Sequence, residues 1–311
     1  MILFCGIASE PPLKYAMDAA TAAGLDHVFF NQRQSHHIDM TIGVENGRIT
    51  GCVRINETCY ALESFSGVYL RLMEWQHLPE NQSTSIYAPD PQLVEKSRFL
   101  IEALIEWTEL TSQKVLNRVS ATASNASKPY QAQIIGECGF PTPTTLITND
   151  PSEVVEFLNS HKRVVYKSIS SIRSIVRELK SVDLSQLEKL RTLPTQFQVF
   201  VPGSNVRVHV VGTDVFATEV ETEAIDYRYA GRDDLEVSMR AIKLPPAIEE
   251  RCIQLSQRLD LPLCGIDLKR TPDDEYYCFE VNPSPAYTYY QDYTEQPIAQ
   301  AIAQWLARGL T

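Results

Sequence analysis

The stretch from Leu263 to Asn282 limits the fold more than any other part of this chain. Two alternating runs, Leu263 to Lys269 and Tyr276 to Asn282, flank the turn sequence Thr271-Pro272-Asp273-Asp274, the pattern of a β-hairpin. Asp267 falls on the first strand. Glu280 and Asn282, two residues apart on the second, share a face. A turn at Pro272 to Asp274 brings Asp267 opposite or diagonal to Glu280 on that face. Three oxygen-bearing side chains then converge among Ile266, Leu268, Phe279 and Val281. Carboxylates this close repel unless a cation lies between them. Hard oxygen ligands of this kind suit Mg²⁺ carrying a nucleoside triphosphate. The competing reading is a solvated pair on an open hairpin face. The Asn two residues after the Glu, followed by Pro283, weighs against it.

The rest of the chain alternates between strand and helix patterns. Ile2 to Ile7, Val28-Phe29-Phe30, Ile49 to Ile55 and Val68-Tyr69-Leu70 are apolar strand candidates, with Gly47 and Gly67 as breakers. Helical patterns cover residues 12–23 and 92–110, the second with Leu93, Ser97, Leu100, Ile101, Leu104 and Thr108 along one side. The small polar run Ser120 to Ser127 reads as a linker. A helix begins at Lys128-Pro129. Another begins at Asp150-Pro151-Ser152-Glu153, where a cap, a first-turn proline and a Glu three residues on coincide. Thr144 to Thr148, Val164 to Lys167 and Phe197 to Pro202 are strands, and Asn205 to Ala217 forms a hairpin around Gly212-Thr213-Asp214. Residues 246–260 and a segment from Pro297 to Gly309 close the chain as helices.

Charge and cysteine content narrow the classes of function. With 28 Lys plus Arg against 39 Asp plus Glu, the net charge is −11, so neither nucleic acid nor an anionic membrane is an expected partner. No apolar run reaches the roughly 18 residues of a membrane span. The seven cysteines are scattered singly and without a Cys-x-x-Cys pair, which predicts reduced thiols and a cytoplasmic setting.

Four cationic positions stand out. Lys167 ends a Val-Val-Tyr strand before a hydroxyl-rich segment and could hold a phosphate as a point charge; it could equally be an edge lysine. Lys128 precedes a helix start, where backbone N–H groups favour an anion, or is an ordinary linker lysine. Arg207 and His209 share one strand face, opposite Val206, Val208 and Val210. Arg207 reads as a carboxylate or phosphate clamp, or as the partner of Glu219 or Glu221. Arg228, in Asp226-Tyr227-Arg228, could grip a substrate or belong to a plain surface loop.

Taken in order, these pieces resemble the ATP-grasp superfamily, in particular its RimK-like branch, which includes the graspetide macrocyclases. The resemblance spans about residues 115–306 and rests on Lys128, Lys167, Phe197-Gln198-Val199-Phe200-Val201-Pro202, Asn205-Val206-Arg207-Val208, Asp226-Tyr227-Arg228, Gly265-Ile266-Asp267 and Glu280-Val281-Asn282-Pro283. It implies an α/β (α+β) ATP-grasp fold, with two α+β subdomains clasping ATP behind a small α/β pre-ATP-grasp domain. The expected divisions are residues 1–119, 120–195 and 196–311. Lys128 and Lys167 would hold ATP phosphates, and Gln198, Phe200 and Val201 would meet the adenine. Asp267, Glu280 and Asn282 would hold Mg²⁺. Arg207 and Arg228 would orient phosphates and the acyl group. Val199 stands where the family often has Glu, and Ser284-Pro285-Ala286 where the macrocyclases continue with Gly-Gln-Trp. Arg71 resembles an N-domain arginine near the substrate.

The implied activity is an ATP- and Mg²⁺-dependent carboxylate ligase that works through an acylphosphate attacked by an amine or hydroxyl acceptor. The resemblance implies a carboxylate of an amino-acid-like molecule or a peptide, and a homodimer is among its expectations. The alternatives are a peptide macrocyclase, a nucleotide-binding regulatory protein without turnover, and a kinase that stops at phosphotransfer. The run Tyr287, Tyr289, Tyr290 and Tyr293 reads as an aromatic wall or as packing under the last helix.

Overall fold

The structure is a computed structural model that describes residues 1–84, 86–169, 176–222 and 236–309. Its N-terminal part runs β1 (Ile2–Gly6), α1 (Pro11–Ala22), β2 (His27–Asn31), β3 (Ile38–Glu45), β4 (Arg48–Ile55), β5 (Thr58–Ala61), β6 (Gly67–Arg71), α2 (Pro91–Leu110) and β7 (Lys114–Leu116). Strands β2-β1-β6-β7 form a parallel sheet, and β3-β4-β5 a separate antiparallel one. Strand β1 is apolar throughout because both of its faces are covered. Ile2 and Phe4 pack with Leu13, Ala16 and Ala20 of α1, while Leu3 and Cys5 pack with Leu100, Leu104 and Trp107 of α2.

The middle of the chain holds α3 (Val119–Thr122), α4 (Lys128–Glu137), β8 (Thr145–Thr148), α5 (Pro151–Ser160), β9 (Val164–Ser168), β10 (Arg177–Glu178) and β11 (Thr195–Val199). Its antiparallel sheet has the order β10-β9-β11-β8. Asp150 caps α5 as its sequence foretold, accepting from Ser152 N–H at 2.9 Å. Val154, Val164 and Phe197 form the core on the far side of this sheet from the cleft.

The last part comprises β12 (Ser204–Val211), β13 (Asp214–Glu221), β14 (Ser238–Ile242), α6 (Pro246–Arg258), β15 (Leu263–Arg270), β16 (Tyr276–Asn282), α7 (Thr288–Thr294) and α8 (Ile298–Ala307). The sheet order β14-β13-β12-β15-β16 is antiparallel throughout. Alternation sorts its two faces. Val206, Val208, Val210, Ile266 and Val281 pack with Ile134 and Ile135 of α4 and with Cys252 and Leu255 of α6. Burying each such side chain contributes roughly 1.5–3 kcal/mol. The other face is left to Arg207, His209, Asp267, Glu280 and Asn282. Helix α8 lies between the parts, since Ile298, Ile302 and Leu306 join the cluster of β1 and α1 together with Val211 and Leu263.

Several expectations are corrected. The run Ser120 to Ser127 is not an open linker: it is helical, with α3 followed by a 3₁₀ turn at Ala123–Ala126. Small residues permit such tight turns, and packing overrides their weak helix propensity. Cys52 and Cys59 are disulfide-bonded, because the β4–β5 hairpin brings their Cα atoms to 6.1 Å; the free cysteines are Cys5, Cys138, Cys252, Cys264 and Cys278. Gly67 opens β6 instead of breaking it, lying where Leu306 of α8 leaves no room for a Cβ. Strands β3, β5, β7, β10 and β14 and helix α7 are additions to the elements read from the sequence. No helix among the described residues is long and apolar enough to cross a membrane.

Candidate active site

The open face of the β12–β16 sheet meets the β9–β11 sheet across a cleft, and strand register fixes what lines it. Arg207 pairs with Asp267, Asp267 with Glu280, and Gly265 with Asn282. Opposed residues of antiparallel strands share a face, so one row carries Arg207, Asp267 and Glu280, with Asn282 one step along. The register shifts after Asp267, where Leu268 pairs with Cys278 and Phe279 becomes the extra residue of a β-bulge. Phe279 and Glu280, though adjacent, therefore both line the cleft.

The carboxylates are held by cations from three elements. Asp267 Oδ1 accepts from Arg207 Nη1 at 2.6 Å. Glu280 Oε2 accepts from Lys167 Nζ, on β9, at 3.2 Å and lies 3.3 Å from Lys128 Nζ, at the start of α4. Lys128 also donates to Asn125 Oδ1 at 2.8 Å. Asn282 Oδ1 accepts from Ser284 N–H at 3.0 Å. Lys128, Lys167 and Arg207 are largely buried, so these pairs act in a medium less polarisable than water. Among Lys128, Lys167, Arg207, Asp267 and Glu280, three cations face two carboxylates.

Gly265 has a steric duty here. A Cβ at this position would sit 2.1 Å from Arg207 Nη2 and 2.5 Å from its Cζ. The guanidinium lies across the bare glycine backbone, with the Tyr290 ring 5.7 Å from its centre. Beside it His209 is fully buried, with Nε2 at 3.5 Å from Arg207 Nε and its ring edge-on to Tyr290 at 4.9 Å. Burial, and then the Arg207 charge, hold the His209 pKa well below the usual histidine range. Tyr287 and Tyr290 are thus packing residues, while Tyr289 and Tyr293 are exposed.

At the other end of the cleft, an apolar cavity of about 110 Å³ is lined by Val165, Val199, Phe200, Val201, Leu268 and Phe279 among others. Phe200 N–H donates to the Arg163 carbonyl at 3.0 Å, and the Arg163 guanidinium stacks 3.7 Å from the Phe200 ring centre. Gln198 is buried, and its Nε2 donates to Thr145 Oγ1 at 3.0 Å, tying β11 to β8. Lys269, two residues past Asp267 on the same face, also lines this cavity with its Nζ 5.1 Å from the Phe200 ring. Burial and the nearby Arg163 charge lower its pKa. The sequence reading did not single it out, because a lysine just ahead of a turn looks like a solvated one.

A second, more open cavity of about 680 Å³ borders the polar end. Glu10, Arg71, Asn125 and Ser284 are among its lining residues. Arg71 Nε donates to Glu10 Oε1 at 2.9 Å and its Nη1 to Ser284 Oγ at 2.7 Å. Asn117, which joins β7 to α3, donates to the carbonyls of Leu263 and Pro283, each at 2.6 Å. That buried amide fixes the N-terminal part against the loop that follows Asn282.

Of the sequence candidates, Lys128, Lys167, Arg207, Asp267, Glu280 and Asn282 come together. Gln198, Phe200 and Val201 line the apolar end, and Arg228 lies outside the described residues. The alternative partners for Arg207 are otherwise engaged: Glu219 is buried and receives Arg240 and Arg270, and Arg240 also reaches Glu221. Among the described residues no group of three His, Cys, Asp or Glu gathers to hold a metal. The oxygen set is two carboxylates and an amide, suited to a hard cation that also takes ligand oxygens.

The family model of the RimK-like ATP-grasp domain matches residues 124–306. The chain belongs to the RimK-like ATP-grasp family. ATP-grasp ligases use ATP and Mg²⁺, and the cleft fits both, with oxygen ligands and the cations Lys128, Lys167 and Arg207 at one end and apolar walls at the other. Among solved structures, this ATP-grasp chain is similar to a RiPP-associated ATP-grasp ligase of Chryseobacterium gregarium in complex with ADP and a leader and core peptide. Identity is 23%, coverage is 99% of this chain and 96% of that one, and the TM-score is 0.79. The macrocyclase MdnC of Microcystis aeruginosa MRC, bound with precursor peptide MdnA, is 21% identical over 99% of each chain with a TM-score of 0.79. The VanG D-Ala:D-Ser ligase of Enterococcus faecalis is 12% identical over 98% of this chain and 97% of that one, at a TM-score of 0.55. Among curated proteins, none matches this sequence.

Proposed function

We propose that this ATP-grasp ligase activates a carboxylate of a ribosomally made peptide and joins it to an amine or hydroxyl of the same or another peptide. The observation that carries the reading is the convergence of Lys128 and Lys167 on Glu280, beside the Arg207–Asp267 pair, with Lys167, Asp267 and Glu280 lining the same cavity as Phe200 and Val201. Peptide chemistry is supported by the leader and core peptide bound to the Chryseobacterium gregarium ligase and the precursor peptide bound to MdnC.

The chain's own groups divide the work. Asp267, Glu280 and Asn282 would hold Mg²⁺, which when bound would neutralise phosphate charge. Lys128 and Lys167 exchange Glu280 for phosphate oxygens, a swap of one anion for another that leaves no ammonium buried alone. Phe200 N–H is committed to Arg163, so the hinge offers the base its Phe200 carbonyl and Val201 N–H. Arg207, preset over Gly265, faces the charge that grows on the transferring phosphoryl group. Arg71 guides the substrate carboxylate, with Glu10 and Ser284 fixing its guanidinium. The carboxylate takes the γ-phosphoryl group and ADP leaves. The acceptor nitrogen or oxygen then attacks the acyl carbon, losing its proton as phosphate departs. Positioning and charge neutralisation suffice for both steps.

The test is ADP release with Mg·ATP and candidate peptides, read together with product mass. The proposal requires ADP formation that depends on a carboxylate-bearing peptide, and a product lighter by one water. ADP release that depends on small acids and amines but not on peptides contradicts the peptide assignment. A stable phosphorylated product with no acceptor needed contradicts ligation.

A further inference from the structure

Among the described residues, one cation lining the cleft has no role in the sites assigned above. Lys269 sits on β15 in the same alternation as Asp267, and its Cα partner on β12 is Asn205. Its side chain lines the 110 Å³ cavity beside Phe200, between apolar walls that include Val165 and Leu268 and the polar groups Lys167, Asp267 and Glu280. Its described neighbours each have an anion: Lys128 and Lys167 have Glu280, Arg207 has Asp267, and Arg163, on the same Phe200 ring, has Glu178 at 2.8 Å. Among the described residues, no carboxylate lies within ion-pair reach of Lys269. A half-buried ammonium without a counter-charge is costly in such a place. A lysine stem that merely snorkels past apolar surface carries its head out to water, whereas this one stays over an aromatic ring inside the cavity.

We propose that Lys269 is a further nucleotide-binding residue whose ammonium meets the α-phosphate. The inference rests on the nucleotide reading of the cleft. Placement chooses the phosphate: two residues of strand separate Lys269 from Asp267 by about 7 Å, a step from the metal pair towards the hinge. With the outer phosphates on Lys128, Lys167 and the metal, and the base at Phe200 and Val201, the α-phosphate falls between them. The charge of Lys269 calls for an anion there.

The experiment is calorimetric titration of adenosine, AMP and ADP with Mg²⁺ into the wild type, Lys269→Met and Lys269→Arg. Methionine keeps the length and apolar stem, and an unchanged circular dichroism spectrum establishes that the variant is folded. Lys269→Met should bind AMP and ADP about tenfold more weakly, the low end for losing a hydrogen bond between charged groups. Adenosine affinity should stay the same, and Lys269→Arg should retain most of the ADP affinity. Wild-type ADP affinity in Lys269→Met, or an equal loss for adenosine and AMP, overturns the assignment. Failure of the wild type itself to bind ADP refutes the nucleotide reading before any variant is compared.

Discussion

The two ends of the cleft solve opposite problems. At the polar end, Arg207, Lys128 and Lys167 are paired with Asp267 and Glu280, so charges can be buried before any ligand arrives. At the hinge end, Val165, Val199, Phe200 and Phe279 offer mainly apolar surface, and Lys269 has no carboxylate partner among the described residues. The contrast shows how a site can be ready for a molecule with a greasy head and a charged tail. The tail is met by exchange of ion-pair partners, and the head by surface that gains from losing water.

The comparison breaks most visibly at Glu280. Glu280→Gln keeps size and hydrogen bonding but removes the charge that gathers Lys128, Lys167 and the metal. Turnover should fall by about 100-fold or more, with circular dichroism unchanged. Near-normal ADP release would remove Glu280 from the metal site. Gly265→Ala probes the neighbouring pair. Its Cβ would occupy the space of the Arg207 guanidinium. Turnover should fall by roughly tenfold or more, because a misplaced charge forfeits much of its transition-state effect. ADP affinity should change little, since the hinge is untouched.

Two smaller effects sharpen the contrast. Lys167→Ala should weaken ADP by about tenfold while sparing adenosine. Phe200→Ala should weaken both ligands by a similar factor, as expected for lost base packing. Calorimetry with the same two ligands separates the ends of the cleft, and a reversed pattern would exchange their roles. The smallest effect concerns stability. His209 is held neutral in the fold, whereas an unfolded histidine takes up a proton as pH falls through about 6.5. The unfolded chain then binds more protons, and stability declines on acidification. His209→Phe should flatten that decline between pH 7 and 5 in urea melts; an identical slope would mean that His209 protonates freely in the fold.

The two ends also differed in how much their sequence disclosed. The polar end was legible because strand alternation fixes sidedness: Glu280 and Asn282 must share a face, and a tight turn must return Asp267 to it. Arg207 stood out as a charge within a valine-rich strand. Its partner did not, because Glu219, Glu221 and Asp267 are all within reach of pattern alone and only the register β13-β12-β15 chooses. The hinge end was harder to see. The bulge at Phe279 breaks alternation without a glycine to announce it. Gln198 lines the cavity, and its amide also secures β8, a tie the sequence does not disclose. Lys269 gains its meaning from the cavity around it. In the N-terminal part, β1 was plain from its unbroken apolar run, but β4 and β5 bring Cys52 and Cys59 together across a hairpin that the sequence reading had not joined.

The central claim is that Asp267, Glu280 and Asn282 carry a divalent ion bound together with a nucleotide. It is tested most directly by titrating ADP into the wild type and Glu280→Gln, each with Mg²⁺ and with chelator. The account predicts that Mg²⁺ tightens ADP binding to the wild type by about tenfold or more, and that this gain vanishes in Glu280→Gln. An equal effect of Mg²⁺ on both proteins, or none on either, would contradict it.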